Sequence, residues 1–282
     1  MSNIQINPNH PPFDPDEQLC AEFSALGRLR RRIGALLISL TDSGLLGMTP
    51  LETHIHVCGY SRSGTTLLQM MLEFAYPKSR HFGHEISGRR AIMNSRRNHR
   101  VMITKKPKDI FRLHQLINYY RDRKTTFKPI VMVRDPRDVL TSSHITTKKE
   151  RPYHVKLDRW KQEQPFIRYY MEAPDVLLIR YEDLTGDTTR TQRTIEEFVQ
   201  EKAERTFGDF HKKTRDDFDS RHLNGVRPVD QETIARWKRP EHADRIRQIL
   251  EEIPELPQEL IAMGYETDES WTEAYLPSPA EK

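Results

Sequence analysis

The stretch His54–Leu72, HIHVCGYSRSGTTLLQMML, constrains this chain more than any other. His54–Cys58 alternates polar and apolar residues and reads as a short strand. Gly59–Gly64 reads as a turn bounded by glycines, and Thr65 onward through Glu73 as a helix. Strand, glycine-bounded turn and helix in that order grip a phosphate. The turn's amides and the helix N-terminus converge on one anion, and the helix dipole favours negative charge. The spacing of Gly59 and Gly64 is that of a P-loop, with one departure. Thr65, followed by Thr66, stands where a nucleotide triphosphatase needs the lysine that reaches the β- and γ-phosphates. Such a turn can hold a phosphate but is poorly built to transfer a γ-phosphoryl group, and its nearest cation is Arg62.

Three further short apolar runs follow. Val101–Thr104 ends in Lys105-Lys106-Pro107, Pro129–Val133 leads into Arg134-Asp135-Pro136, and Val176–Ile179 ends in Arg180-Tyr181. Between and after them lie helical patterns over Lys108–Arg123, Lys156–Met171, Thr188–Ala203, His242–Leu250 and Leu256–Met263. The alternation predicts an α/β fold, a central parallel sheet with helices on both faces. Ligands bind such sheets at the carboxyl ends of the strands. Three strand ends carry Lys105, Arg134 and Arg180 and the fourth carries the phosphate loop, so these groups are expected to converge on one crevice. Around this core the pattern predicts an extended or disordered arm over 1–15, an N-terminal helix over 16–40, and a helix from Ser87 through Arg97. It also predicts a mobile polar loop over 207–229, a helix over 230–237 and a frayed tail over 277–282.

A length of 282 residues with 36% hydrophobic content supports one large core, read as a single domain. Two cysteines are too few for a disulfide framework and point to a reducing compartment. The apolar run Ile33–Leu40 falls short of the roughly 20 residues that span a bilayer, and the segment before it lacks the pattern of a signal peptide. A cytoplasmic protein with no membrane partner is the expectation. Net charge is +4, with basic clusters at Arg89–Arg100, Lys105–Lys108 and Arg121–Lys124, which suits an anionic ligand. Interleaved acids and the lack of an aromatic-plus-basic motif argue against nucleic acid. His54 and His56, two apart on a strand, are half of a metal site at most and read as structural residues at a strand edge; no metal is expected.

GYSRSGTTLL, VMVRDPRDVLTSS and LLIRYEDL, in that order, resemble the sulfotransferases that use 3′-phosphoadenosine 5′-phosphosulfate (PAPS). The motifs are most similar to the branch of tyrosylprotein sulfotransferases and many bacterial enzymes. The resemblance runs from about His54 to Tyr265 and takes in VRPVDQETIARW and IAMGYE. It implies a P-loop-like sulfotransferase fold and sulfuryl transfer from PAPS to a hydroxyl or amine, leaving 3′,5′-adenosine bisphosphate (PAP). The transfer would be an in-line displacement with a general base and no metal. By the same resemblance Arg62, Ser63, Gly64, Thr65 and Thr66 grip the 5′-phosphosulfate. Arg134 and Ser142, eight positions apart, bind the 3′-phosphate, and Tyr181 lies near the nucleotide. Arginine suits this task because its planar fork meets phosphate oxygens in pairs.

HFGHEIS resembles the segment in which the tyrosylprotein branch keeps its catalytic glutamate, which maps to Glu85. The rival base is His84, whose ordinary pKa of about 6.5 is closer to neutrality. The cytosolic small-molecule branch uses a histidine shortly after a Lys-Thr pair, and Lys105-Lys106-Pro107 has no histidine at the matching place. Lys105 matches the lysine that neutralises the leaving oxygen, with Lys106 as the one-residue alternative and Arg62 able to share the task. Ala235 stands where the tyrosylprotein branch has a serine. The chain shows no anchor or disulfide framework of the kind expected for secreted protein substrates, so a small-molecule acceptor, such as a secondary metabolite or a sugar, is expected. Residues 143–155 and 207–229 read as lids over it; oligomeric state stays open. The rival functions are a P-loop small-molecule kinase using Mg-ATP and a non-catalytic nucleotide or polyanion binder. Thr65 opposes the kinase, as does Arg134 directly after Val133, where a magnesium-binding Asp belongs.

Overall fold

The computed structural model describes residues 11–15, 17, 33–34, 36–37, 40, 43–92, 98–143, 152–212, 228–229 and 231–276. Strands β1 (Thr53–Gly59), β2 (Val101–Lys105), β3 (Thr126–Val133) and β4 (Leu177–Arg180) form one parallel sheet in the order β2-β1-β3-β4. The helices of the core are α1 (Thr65–Ala75), α2 (Gly88–Ile92), α3 (Leu113–Tyr120), α4 (Pro136–Leu140) and α5 (Leu157–Met171). They continue with α6 (Tyr181–Gly186), α7 (Thr188–Val199), α8 (Ala243–Glu252) and α9 (Leu256–Ala262).

Period-two alternation divides the sheet between two apolar layers. Ile55 and Val57 of β1 and Ile130 and Met132 of β3 pack with Leu68, Met71 and Leu72 of α1 and Ile195 and Val199 of α7. Cys58, Val131 and Val133 lie in the opposite layer with Trp160 and Ile167 of α5, Ile246 and Ile249 of α8, and Leu256 and Leu260 of α9. Helices therefore cover both faces, as the pattern predicts. β3 begins at Thr126, earlier than the apolar run shows, with Pro129 inside it. The proline is tolerated because β4 pairs only from Ile130 onward, so β3 has one neighbour at that level.

His54 and His56 correct the expectation of a strand edge. They sit on the central strand and are fully buried. The Tyr120 hydroxyl meets His54 Nδ1 at 2.8 Å, and Thr104 Oγ1 meets both His54 Nε2 and His56 Nδ1 at 2.7 Å. Burial pushes the His56 pKa down to about 3, so the imidazole is neutral. Among the described residues no group of three or more His, Cys, Asp or Glu is arranged to hold a metal ion. No helix among them is long and apolar enough to cross a membrane.

Other departures also have identifiable physical causes. Pro107–Arg112 is a 3-10 turn, so the helix expected from Lys108 begins only at Leu113. The stretch 231–235 is turn rather than helix, because Asp138 draws the amides of Ala235 and Trp237 out of helical register at 2.9 and 3.0 Å. Phe207–Lys212 is a 3-10 turn with Phe207 and Phe210 buried, so the polar loop starts packed. Residues 11–15 are docked rather than disordered. Phe13 stacks on His114 at 4.0 Å, and Asn118 Nδ2 donates to the Pro15 carbonyl at 2.6 Å. α2 ends at Ile92. Residues 1–10, 93–97, 144–151, 213–227 and 277–282, and most of 16–40, lie outside the described residues, so the expected tail, most of both lids and most of the N-terminal helix do too.

Candidate functional site

The strand order reverses between β1 and β3, and the crevice outside their carboxyl ends is the switch point at which such sheets take ligands. Gly59 closes β1 with φ +126°, and a Cβ there would run into the Met132 carbonyl oxygen and lie 2.8 Å from the Met132 nitrogen. Only glycine lets the loop leave so close to β3. Gly64 has φ +87°, and a Cβ there would meet the Tyr181 ring. Arg62, between them, also has a positive φ, of 71°, a conformation that costs about 1–3 kcal/mol for a non-glycine residue. Ser63 helps hold it: its hydroxyl donates to the Tyr60 carbonyl at 2.6 Å and its amide to the same oxygen at 3.3 Å. Ser63 is fully buried with its hydroxyl turned inward. No side chain caps the α1 N-terminus at Gly64; Thr65 is buried there and Thr66 half-buried.

Arg134 follows β3 and reaches back to the loop. Its Nη1 donates to the Arg62 carbonyl at 3.4 Å, and its Nη2 to Asp138 at 3.3 Å and to the Thr233 carbonyl. Its guanidinium lies 4.4 Å from the centre of the Tyr181 ring. The Tyr181 hydroxyl bonds Thr233 Oγ1 at 2.6 Å. The Arg134–Asp138 ion pair is thus buried, inside a dense cluster. Burial pushes the Arg62 pKa down, the Arg134 charge pushes it further, and Tyr181 opposes both. The Nε of Arg62 and the Nε of Arg134 are both buried without a hydrogen-bond partner. Buried donors without partners are uncommon, and two such guanidiniums held together fit a phosphate or sulfate. Ser142, two residues past α4, donates its hydroxyl to the Val139 carbonyl at 2.8 Å.

Glu85 arrives from the other side. Residues 80–86 run along the outer edge of β2, with the Arg80 amide donating to the Val101 carbonyl at 2.8 Å and the Ile86 amide to the Lys105 carbonyl at 3.0 Å. This places Glu85 at the carboxyl end of β2, 3.1 Å from Lys105 Nζ and 2.7 Å from Lys106 Nζ. Both lysines hold the one carboxylate. Partial burial pushes the Glu85 pKa up. The charge of Lys105 and hydrogen bonds from both lysines outweigh that and leave it below the usual carboxylate value. Lys105 is almost fully buried, which lowers its pKa, and Glu85 opposes the shift. His84 is exposed, its ring edge-on to Phe82 at 6.5 Å. Glu85 is not a helix cap; Ser87 Oγ accepts the Arg90 amide at 3.2 Å instead.

Arg180 does not join the crevice. It donates to the carbonyls of Met263 and Gly264 and lies over the Tyr265 ring at 4.9 Å, bracing the chain after α9. Asp138, Thr233 and Lys106 matter more to the site than sequence reasoning allows. The four-residue spacing of Arg134 and Asp138 across Pro136 is the one signal that could have pointed to Asp138. Arg137, on the same turn, is 2% exposed and lies between Trp237, at 3.8 Å, and Trp271, at 4.6 Å. It pairs with Asp135 at 2.7 Å and Glu266 at 2.6 Å.

Residues 52–217, more than half of the chain, match the family model of the sulfotransferase domain. The chain belongs to the sulfotransferase family. The match takes in the phosphate loop, Glu85, both lysines, Arg134 and Tyr181 of this sulfotransferase, and stops before Thr233. Among solved structures it is similar to the sulfotransferase domain of the Synechococcus PCC 7002 olefin synthase, at 17% identity over 73% of this chain and 96% of that one, with a TM-score of 0.47. The sulfotransferase domain of the curacin biosynthetic pathway is 16% identical over 72% and 98%, with a TM-score of 0.47. Mouse sulfotransferase SULT7A1 complexed with PAP is 14% identical over 77% and 88%, with a TM-score of 0.45. A search of curated protein sequences found no match.

Proposed function

We propose that this sulfotransferase takes PAPS as donor and moves its sulfuryl group to a hydroxyl or amine of a small-molecule acceptor, with Glu85 as general base. The observation that carries the reading is the pair Arg62 and Arg134, brought together at the switch point with a buried, unpartnered Nε on each. Arg62, the loop amides and the first turn of α1 would hold the 5′-phosphosulfate. Arg134 and Ser142 would take the 3′-phosphate, and Tyr181 would line the nucleotide. The acceptor's proton passes to a Glu85 carboxylate oxygen as its oxygen or nitrogen bonds to sulfur. The sulfur–oxygen bond to the 5′-phosphate breaks with its electron pair on that phosphate, where Lys105 offsets the charge. A Lys105 ammonium drawn onto that oxygen leaves Glu85 with one cation instead of two, which strengthens Glu85 as a base while the proton is moving.

The reading is tested by thermal unfolding with PAP beside Mg-ATP. PAP at 100 times its dissociation constant is expected to add about 2.7 kcal/mol of stability. Arg134→Ala is expected to weaken PAP binding by at least tenfold, in line with roughly 1.5–3 kcal/mol for a charged hydrogen bond, each variant being referred to its own ligand-free unfolding. Stabilisation by Mg-ATP with none by PAP would overturn the reading and put phosphoryl transfer in its place.

A further inference from the structure

A buried polar chain runs along β1 that the transfer chemistry does not use. It starts at the Tyr120 hydroxyl and passes through His54, Thr104 and His56, at the 2.7–2.8 Å separations given above. His56 Nε2 then faces Asp109 Oδ2 at 3.4 Å, and that same oxygen accepts the Gly88 amide at 2.8 Å. A threonine hydroxyl has one proton, so Thr104 donates to one imidazole and accepts from the other. His56 Nε2 packs against the Asp109 carboxyl without a hydrogen bond to it, so the polar partner that fixes this carboxyl is the Gly88 amide.

Gly88 is the first residue of α2, three positions after Glu85. It is pressed so closely that an added Cβ would lie 2.8 Å from Leu116 and 3.4 Å from His56. We propose that Asp109 is a positioning residue for Glu85: packed beside the buried His56, its carboxyl anchors the Gly88 amide and fixes the turn that presents Glu85 to Lys105 and Lys106. The inference rests on the reading of Glu85 as the base. The Ile86 amide on the Lys105 carbonyl and the Gly88 amide on Asp109 bracket that turn from two sides. The charged groups facing Asp109 are Lys106 and Arg112, which pull its pKa down with the Gly88 amide, and Glu85, which pushes it up. Burial dominates and takes it to about 6, beside a His56 that stays neutral.

The test compares Asp109→Ala with Asp109→Asn, whose amide oxygen can still accept the Gly88 N–H. Amide hydrogen exchange over residues 82–92 is read alongside kcat, acceptor KM and PAP affinity. Asp109→Ala is expected to speed exchange at Gly88 and to lower kcat roughly 10–100-fold with PAP affinity unchanged, since a misplaced catalytic group loses rate on that scale. Asp109→Asn is expected to recover most of both. Unchanged exchange in Asp109→Ala overturns the proposal whatever the reaction is. Faster exchange with unaltered kcat overturns it too, and then the fault lies in the assignment of Glu85. If Asp109→Ala does not fold, a tenfold lower kcat in Asp109→Asn with Gly88 still protected has the same force.

Discussion

Replacing Glu85 with Gln is expected to lower kcat by about 10²–10⁴-fold and to leave PAP affinity unchanged. The rate falls because an amide cannot take the acceptor's proton. Donor affinity survives because Arg62, Arg134 and the α1 N-terminus belong to the loops after β1 and β3, whereas Glu85 comes from the edge of β2. The substitution also strips Lys105 of the partner that holds its proton against burial. With that partner gone the Lys105 pKa falls further, so the alkaline limb of any residual activity moves to lower pH. Single-turnover rates and PAP binding measured across pH on both proteins check the two effects separately. A kcat loss below tenfold would remove Glu85 from the chemistry.

Gly59→Ala is expected to be among the most destabilising single-methyl additions in the chain. The new Cβ would strike the Met132 backbone in the neighbouring strand, at a φ of +126° that side chains rarely adopt. Neither partner can give way, because both belong to the middle of the sheet. A loss of about 3–5 kcal/mol follows from strain and overpacking together. Gly47→Ala is the control: its φ is also positive, at +71°, but nothing lies within 4 Å of the added atom. Its cost should be limited to the backbone term, about 1 kcal/mol. Urea unfolding of the two variants separates collision from conformation, and equal losses would refute the account of the turn. At Gly64 the obstacle is the Tyr181 ring, a side chain of the candidate site rather than strand backbone. The effect of Gly64→Ala should therefore fall more on PAP affinity than on stability.

How far the sequence could be read depended on the span of each contact. The alternation of Ile55 and Val57 with polar neighbours, and the run Pro129–Val133, sufficed for the parallel sheet, because strand and loop are written in adjacent residues. The same alternation misplaced His54 and His56 at an edge. What makes them central is the pairing of β1 with β2 on one side and β3 on the other, strands that begin nearly fifty and more than seventy residues later. Arg134 and Lys105 were legible as strand-end cations. Arg180 looked identical, but its long side chain turns to Met263 and Gly264, a direction no local pattern carries. The helix expected over 230–237 fails for the same reason, since its amides answer to Asp138 nearly a hundred residues earlier. Glu85 was legible as a carboxylate in the right segment, but not the grip of two lysines upon it, which only the end of β2 creates.

Arg137 gives the turn after β3 a second occupation. One turn carries Arg134 toward the crevice and Arg137 into the slot between Trp237 and Trp271, with Glu266 closing the slot. Two events far apart along the chain thus draw on a single scaffold. If a ligand in the crevice tightens that scaffold, the clasp on the last described segment is expected to tighten with it, and reciprocity then requires the clasp to affect the crevice. PAP should accordingly slow proteolytic clipping around 266–275. Trp271→Ala should loosen PAP binding through the loss of its contact with Arg137.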